Sequence, residues 1–228
     1  MSGSTLFLIA AELEATLLFG ESFDARDDVR VAGVGRDGDA AAAAAIESTD
    51  AHRIVNVGFA GGLGAEASAG SVHVVREWTE LEAPTAPVAL ADELMSALAD
   101  AGLAAGSSVA TTVDSPVADR AEGSRLAGGG ADLVEMEGAA WAKLAARRGL
   151  PFVALRVVSD EANLELPGMR HELLTPQGGV NWRAWWAASR LPRGTMGPRY
   201  RAILEARDEW RTAVRTLRAV GRVLADVR

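Results

Sequence analysis

The chain has 228 residues, 49% of them apolar and 24% charged, a composition that suits an ordinary folded protein of one large or two small domains. A net charge of −8 argues against a nucleic-acid protein, and the lack of cysteine excludes disulfides and thiolate catalysis. His52, His73 and His171 have no metal-ligand spacing, no secretory signal pattern opens the chain, and no apolar run reaches the ~18 residues of a membrane span, so a cytoplasmic, reducing location with neither metal nor cofactor is expected.

In chain order, residues 5–9 (TLFLI) read as a short buried strand, and AAELEATLLF as a helix start. Val29 to Gly33 reads as a strand ending in a Gly turn, and Ala40 to Ile46 as an Ala-rich helix. Residues 53–57 (RIVNV) form a strand that runs into the turn GFAGGLG, and residues 71–76 alternate as a strand does. Asp92 to Ala101 is helical, Ser107 to Val113 is a strand, residues 137–148 are helical, and 152–158 form an apolar strand. Strands alternating with helices indicate an α/β fold around a largely parallel or mixed sheet.

Residues 164–200 are rich in Pro, Gly and Trp, with Trp182, Trp185 and Trp186 close together. A final helix is expected from about Pro198 to Val227, with Trp210, Val214, Leu217 and Leu224 on one face. Arg207, Arg211, Arg215, Arg218 and Arg222 form a stripe beside it, within a segment (190–228) holding ten arginines against four acids. Such a stripe suits a solvated face, or a surface that meets anionic lipid or another acidic partner.

The candidate chemistry stands at strand ends, where α/β sheets bind ligands. Glu137 opens a helix and Asp160 closes a strand; the same placement also suits a solvated Glu and a capping Asp. Glu12 and Glu14 follow the first strand two residues apart, so one can face a crevice while the other faces water; both also suit a helix start. GFAGGLG (58–64) permits close backbone approach but matches neither a dinucleotide fingerprint nor a P-loop. TTVDSPV (111–117) is a loop beside a ligand or a plain surface loop.

Taken together, AAELEATLL, NVGFAGGL, VEMEGAA and LRVVSDEAN resemble the nucleoside phosphorylase/nucleosidase superfamily over about residues 5–165, most closely its 5′-methylthioadenosine/S-adenosylhomocysteine nucleosidase branch. The resemblance rests above all on EMEGAA and SDEA, with 23 residues from Glu137 to Asp160. It implies one domain over 1–228 with a divergent tail at about 164–228, and a three-layer αβα sandwich around a mixed, partly barrel-like sheet. It implies that Asp160 protonates N7 of a departing purine, that Glu14 activates the attacking water, and that Glu137 accepts hydrogen bonds from ribose hydroxyls. Met136 would line the sugar, and Glu135 belongs to the same binding stretch. Phe59, Ala60 and Gly61 would lie along the nucleoside, and residues 113–117, from Val113 to Val117, would cover the base. A homodimer is the implied assembly.

Cleavage of an N-glycosidic bond passes through an oxocarbenium-like state, with an acid at the leaving group and a base or anion opposite. Asp160 should then be partly protonated near neutrality and Glu14 ionised. Phosphate-using relatives carry arginine where this chain has Asn56, and Glu12 and Glu14 would repel phosphate by several kcal/mol at low effective dielectric, so water is the expected nucleophile. Arg36 is the one basic group near enough to keep a phosphate-dependent phosphorylase as the alternative. Phe59 replaces the small hydroxyl residue of the nucleosidase turn, which makes a binding protein without catalysis a third reading. The tail resembles that of hopanoid-associated phosphorylase-like proteins, which implies a 5′-adenosyl lipid such as adenosylhopane as substrate, and the Trp and Arg residues suit peripheral membrane contact.

Overall fold

The computed structural model describes residues 4–117, 120–161 and 198–226, with side chains in the last segment from Asp208 onward. The Trp182, Trp185 and Trp186 cluster lies outside the described residues. The elements are β1 (Thr5–Ile9), α1 (Glu12–Phe19), β2 (Val29–Val31), α2 (Asp39–Ser48), β3 (Arg53–Gly62), β4 (Val72–Trp78), α3 (Val88–Asp100), β5 (Ala105–Thr112), α4 (Arg120–Gly128), β6 (Leu133–Glu135), α5 (Gly138–Arg147), β7 (Phe152–Glu161) and α6 (Pro198–Leu224).

The strands form one mixed sheet in the order β2-β1-β3-β6-β5-β4-β7, and β7 also pairs with β3. That last pairing closes β3, β6, β5, β4 and β7 into a ring, from which β1 and β2 extend. Pairs β3–β6 and β4–β7 are antiparallel; the others are parallel. This is the mixed, partly barrel-like sheet that the family resemblance implies.

Strand β3 is the hub, and it differs from expectation. It continues through Gly62 instead of turning at Gly58. Its glycines serve close approach within a strand, not a turn. A Cβ at Gly58 would lie 2.6 Å from Glu14 Oε1, one at Gly61 3.0 Å from Val134, and one at Gly62 2.1 Å from Ala67 O. Without side chains at these positions, Glu14, Val134 and the Ala67 carbonyl can stand directly against the strand. Elements α4 and β6 did not show in the sequence pattern: β6 has three residues, and α4 (RAEGSRLAG) carries little apolar periodicity.

Two apolar clusters flank the sheet. Phe7, Val55, Val57, Val74 and Leu155 pack with Leu17 and Leu18 of α1, Leu94 and Leu98 of α3, and Leu217, Val220 and Leu224 of α6. Leu8, Ile54 and Ala154 pack with Ile46 of α2 and Trp141 of α5. Trp141 also donates its Nε1 proton to Asp39 Oδ1 at 3.1 Å, tying α5 to the start of α2.

The expected face of α6 is present. Leu217 and Leu224 are fully buried while Trp210 and Val214 are half-buried. Each fully buried leucine contributes about 1.5–3 kcal/mol, so the helix is docked by its apolar face. Arg211, Arg215, Arg218 and Arg222 are exposed. Among the described residues, no helix is long and apolar enough to cross a membrane.

Candidate active site

Helix α1 starts directly after β1, so its third residue, Glu14, points back over the sheet. Glu12 is exposed and Glu14 is 9% exposed, the division that their two-residue spacing predicts. Glu14 Oε2 accepts the Ala11 N–H at 3.1 Å, as the acid of a capping box does. Its Oε1 accepts the Phe59 N–H of β3 at 2.8 Å. Burial pushes the Glu14 carboxyl above its ordinary range; the Phe59 N–H, Arg156 and the Ala11 N–H oppose this, and Glu135 adds to it.

Glu135, Met136 and Glu137 form the junction of β6 and α5. Glu137 is buried, and its Oε1 accepts the Gly35 N–H at 2.7 Å. Among the described residues, none donates to Oε2. Gly35 has φ of +61°, which favours glycine, and a Cβ there would sit 3.3 Å from Met136 Cε, so this turn rests directly on Met136. Burial foremost, and then the Glu135 charge, push the Glu137 carboxyl up to about 8, against the Gly35 N–H and Arg156.

Glu135 is occupied by its own chain. Its Oε2 accepts from Arg156 Nη2 at 2.8 Å, Gly138 N–H at 2.7 Å and Glu137 N–H at 3.2 Å, and its Oε1 accepts the Thr112 hydroxyl. The ion pair with Arg156 is buried, with side chains 1% and 2% exposed. Arg156 also donates to Asn56 Oδ1 through Nη2 and to Asn56 O at 3.2 Å through Nη1, while Asn56 donates to Leu8 O at 2.9 Å. Glu135 is therefore a holding group for this junction, which departs from its expected place against substrate.

Asp160 lies at the end of β7, half-buried and paired in register with Gly61 after an irregularity at Ala60/Gly61. The Ser159 hydroxyl lies 2.6 Å from Asp160 Oδ1 and 3.2 Å from Ala60 O, a donor to one at a time. Ala60 and Gly61 thus run alongside Asp160, and Glu14 meets the same strand at Gly58 and Phe59. Val113 begins the loop after β5, its N–H bound to Glu135 O at 2.9 Å, and Val117 ends it beside Gly123 of α4.

Phe59 corrects one expectation. Successive strand residues face opposite ways, and the Gly58 side faces Glu14, so the Phe59 ring faces away from it. The ring packs on Trp210 of α6, centroids 4.8 Å apart. Only the Phe59 N–H remains at the carboxylate. Arg36 is likewise engaged, in a bidentate pair with Asp114 at 2.7 and 2.6 Å.

Sequence reasoning missed Arg156, although an arginine inside the apolar strand FVALRVVS is a signal: a buried guanidinium requires a partner acid. It also missed Thr112 and Glu80, whose Oε1 accepts the Thr112 N–H at 2.8 Å, because residues so far apart in sequence give no joint pattern. His73, 4% exposed, has its ring nitrogens 2.8 and 2.7 Å from the Ser71 and Ser108 hydroxyls, a satisfied core position.

The sequence profile of the phosphorylase superfamily matches residues 29–173. No curated protein sequence matches the chain. The fold is similar to the 5′-methylthioadenosine/S-adenosylhomocysteine nucleosidase of Neisseria meningitidis in complex with methylthio-immucillin-A, with a TM-score of 0.67 at 17% identity over 97% of this chain and 98% of that one. The corresponding nucleosidase of Campylobacter jejuni gives 0.66 at 14% identity over 97% and 98%. The futalosine hydrolase of Helicobacter pylori gives 0.65 at 15% identity over 96% and 97%. At such identities the likeness concerns the fold alone.

Proposed function

This chain belongs to the phosphorylase superfamily, and we propose that it is a nucleosidase that hydrolyses the N-glycosidic bond of an adenine nucleoside and releases adenine. The observation that carries the reading is the approach of two acidic residues to one strand: the Glu14 carboxylate accepts the Phe59 N–H beside Gly58, and Asp160 of β7 pairs in register with Gly61 of β3. Those strand positions lie about 7–10 Å apart along β3. Similarity to structures of nucleosidases and a futalosine hydrolase supports the same reading.

In this reading Asp160 is the general acid and gives a proton to N7 of the base as the glycosidic electron pair leaves with the base. Glu14 takes a proton from water while the water oxygen bonds to the anomeric carbon. Glu137 accepts a ribose hydroxyl on Oε2, the oxygen that Gly35 leaves open. Met136 lies against the sugar, Ala60 and Gly61 run along the nucleoside, and the loop from Val113 to Val117 covers the base. Water is favoured over phosphate because Arg36 is held by Asp114 and Arg156 by Glu135 and Asn56, which leaves an incoming anion facing carboxyl groups.

The 5′ group is methylthioadenosine-like, adenosylhomocysteine-like or a lipid, in a homodimer. The exposed line of Arg211, Arg215, Arg218 and Arg222 supports the lipid form, through contact with anionic headgroups. No co-sedimentation with anionic liposomes at low salt would remove that form and leave the nucleosidase reading intact.

The deciding experiment is incubation with methylthioadenosine and adenosylhomocysteine, with and without phosphate, following free adenine. Release that is indifferent to phosphate is expected. Strict phosphate dependence with a ribose-1-phosphate product would turn the reading to a phosphorylase. Nucleoside binding without release over hours would turn it to a binding protein. Asp160→Asn should abolish nearly all release while circular dichroism stays unchanged.

A further inference from the structure

Two loops that are far apart in sequence meet over the Met136–Glu137 junction. The first is the turn 33–38, whose Gly35 N–H holds Glu137 Oε1 at 2.7 Å and whose Gly35 lies against Met136. The turn is tightly wound: a Cβ on Gly38 would lie 2.2 Å from Gly33 O. The second is the loop after β5, anchored at its start by the Val113 N–H on Glu135 O. Arg36, the neighbour of Gly35, and Asp114, the neighbour of Val113, join the two through parallel hydrogen bonds of 2.7 and 2.6 Å. Both side chains are largely exposed, 78% and 69%. Both immediate neighbours are engaged at the same junction, one on the Glu137 carboxylate and one on the Glu135 carbonyl.

We infer that Arg36 and Asp114 form a clasp across the mouth of the nucleoside site, which holds turn 33–38 on Glu137 and sets how tightly substrate is retained. The inference rests on the reading of Glu137 as the sugar-binding group, and it assigns both residues to positioning rather than to catalysis. An exposed ion pair in this position has two properties that a buried one lacks. It can open to admit substrate without stranding an unpaired charge in a dry interior. It also responds to salt, because exposed charges are screened. The planar guanidinium fork suits the carboxylate in a way a lysine would not, so the clasp needs arginine. The effect is modest, as exposed pairs are, and falls on binding rather than on bond cleavage.

The test uses Arg36→Gln, Asp114→Asn and the charge-swapped pair Arg36→Asp with Asp114→Arg. Two quantities are read: KM against kcat for methylthioadenosine, and native-state exchange of the Gly35 amide. Each single variant should raise KM about two- to fivefold with kcat little changed, and should speed Gly35 exchange. The swapped pair should restore both. Raising NaCl from about 0.05 M to about 1 M should raise the wild-type KM and leave Arg36→Gln unmoved. Single variants with wild-type KM and wild-type exchange at low salt, or a swapped pair no better than either single, would overturn the clasp. If the wild type cleaves no nucleoside, the assigned reaction is what fails, and the exchange measurement alone then decides whether the ion pair holds the turn.

Discussion

Glu14 and Phe59 meet through opposite ends of their chemistry. The Phe59 N–H donates to Glu14 Oε1 at 2.8 Å, while the Phe59 ring leaves the other side of β3 and packs on Trp210. One residue therefore fixes the carboxylate through its N–H and the last helix through its ring. The glycine before it makes the arrangement possible, since no side chain stands between β3 and the acid.

Gly58→Ala tests that directly. Its Cβ would fall 2.6 Å from Glu14 Oε1. The carboxylate is the movable end of a side chain, so it would swing away and the backbone would stay. With Glu14 as the proposed base, activity should fall about a hundredfold, the loss that goes with an ångström of misplacement. Stability should fall by about 1–3 kcal/mol. Measurement of kcat/KM beside a urea titration checks both, and an alanine variant with full activity would remove Glu14 from the reaction.

Phe59→Ala should act mainly on stability. The ring makes a tilted aromatic pair with half-buried Trp210, so its loss should cost about 2 kcal/mol and lower Tm by about 4–8 °C. The Phe59 N–H is kept, so KM for methylthioadenosine should change little. A large rise in KM at unchanged Tm would place the ring in the sugar pocket after all.

The expectation about that ring shows where sequence reading stops. The motif GFAGGLG signals close approach, and Glu14, Val134 and Ala67 do approach its glycines closely. It did not say what approaches, and a turn was the natural reading where the structure has a continuous strand. Glu12 and Glu14 were separable, since helix periodicity alone puts residues two apart on different faces. The alternation of apolar runs was enough for the α/β class. The closure of the sheet through the β3–β7 pairing came only from resemblance, because no local pattern encodes which strands pair. Arg156 and Glu135 are 21 residues apart and neither stands out by periodicity; their pairing follows from the topology that brings β6 and β7 against β3.

That pair should behave as buried ion pairs do. Glu135→Ala leaves the Arg156 guanidinium buried and frees the Thr112 hydroxyl and the Gly138 N–H, so it should cost about 3–5 kcal/mol. The double variant Glu135→Leu with Arg156→Met removes both charges and should regain part of that loss. Urea denaturation of the three proteins checks the order. A neutral Glu135→Ala would mean that the pair does not hold the β6–α5 junction.

The Glu137 carboxyl gives the last prediction, on pH. Burial and the Glu135 charge raise it from the ordinary 4.5 to about 8 in the folded chain. The fold therefore binds this proton more tightly than the unfolded chain does. In the interval between the two values the folded state holds more protons, so stability falls as pH rises. The contribution is fully present below about 4.5, declines through neutrality, and is gone above about 8. Glu14, raised in the same direction, adds to the decline. The total attributable to Glu137 is on the order of a few kcal/mol. Glu137→Gln keeps an acceptor for the Gly35 N–H but has nothing to ionise, so its Tm should fall less steeply across this range. Comparing the two proteins from about pH 5 to about pH 9 cancels the other carboxyl groups. Parallel curves would mean that Glu137 ionises in the fold as readily as in water, and that the carboxyl cluster is wetter than its burial implies.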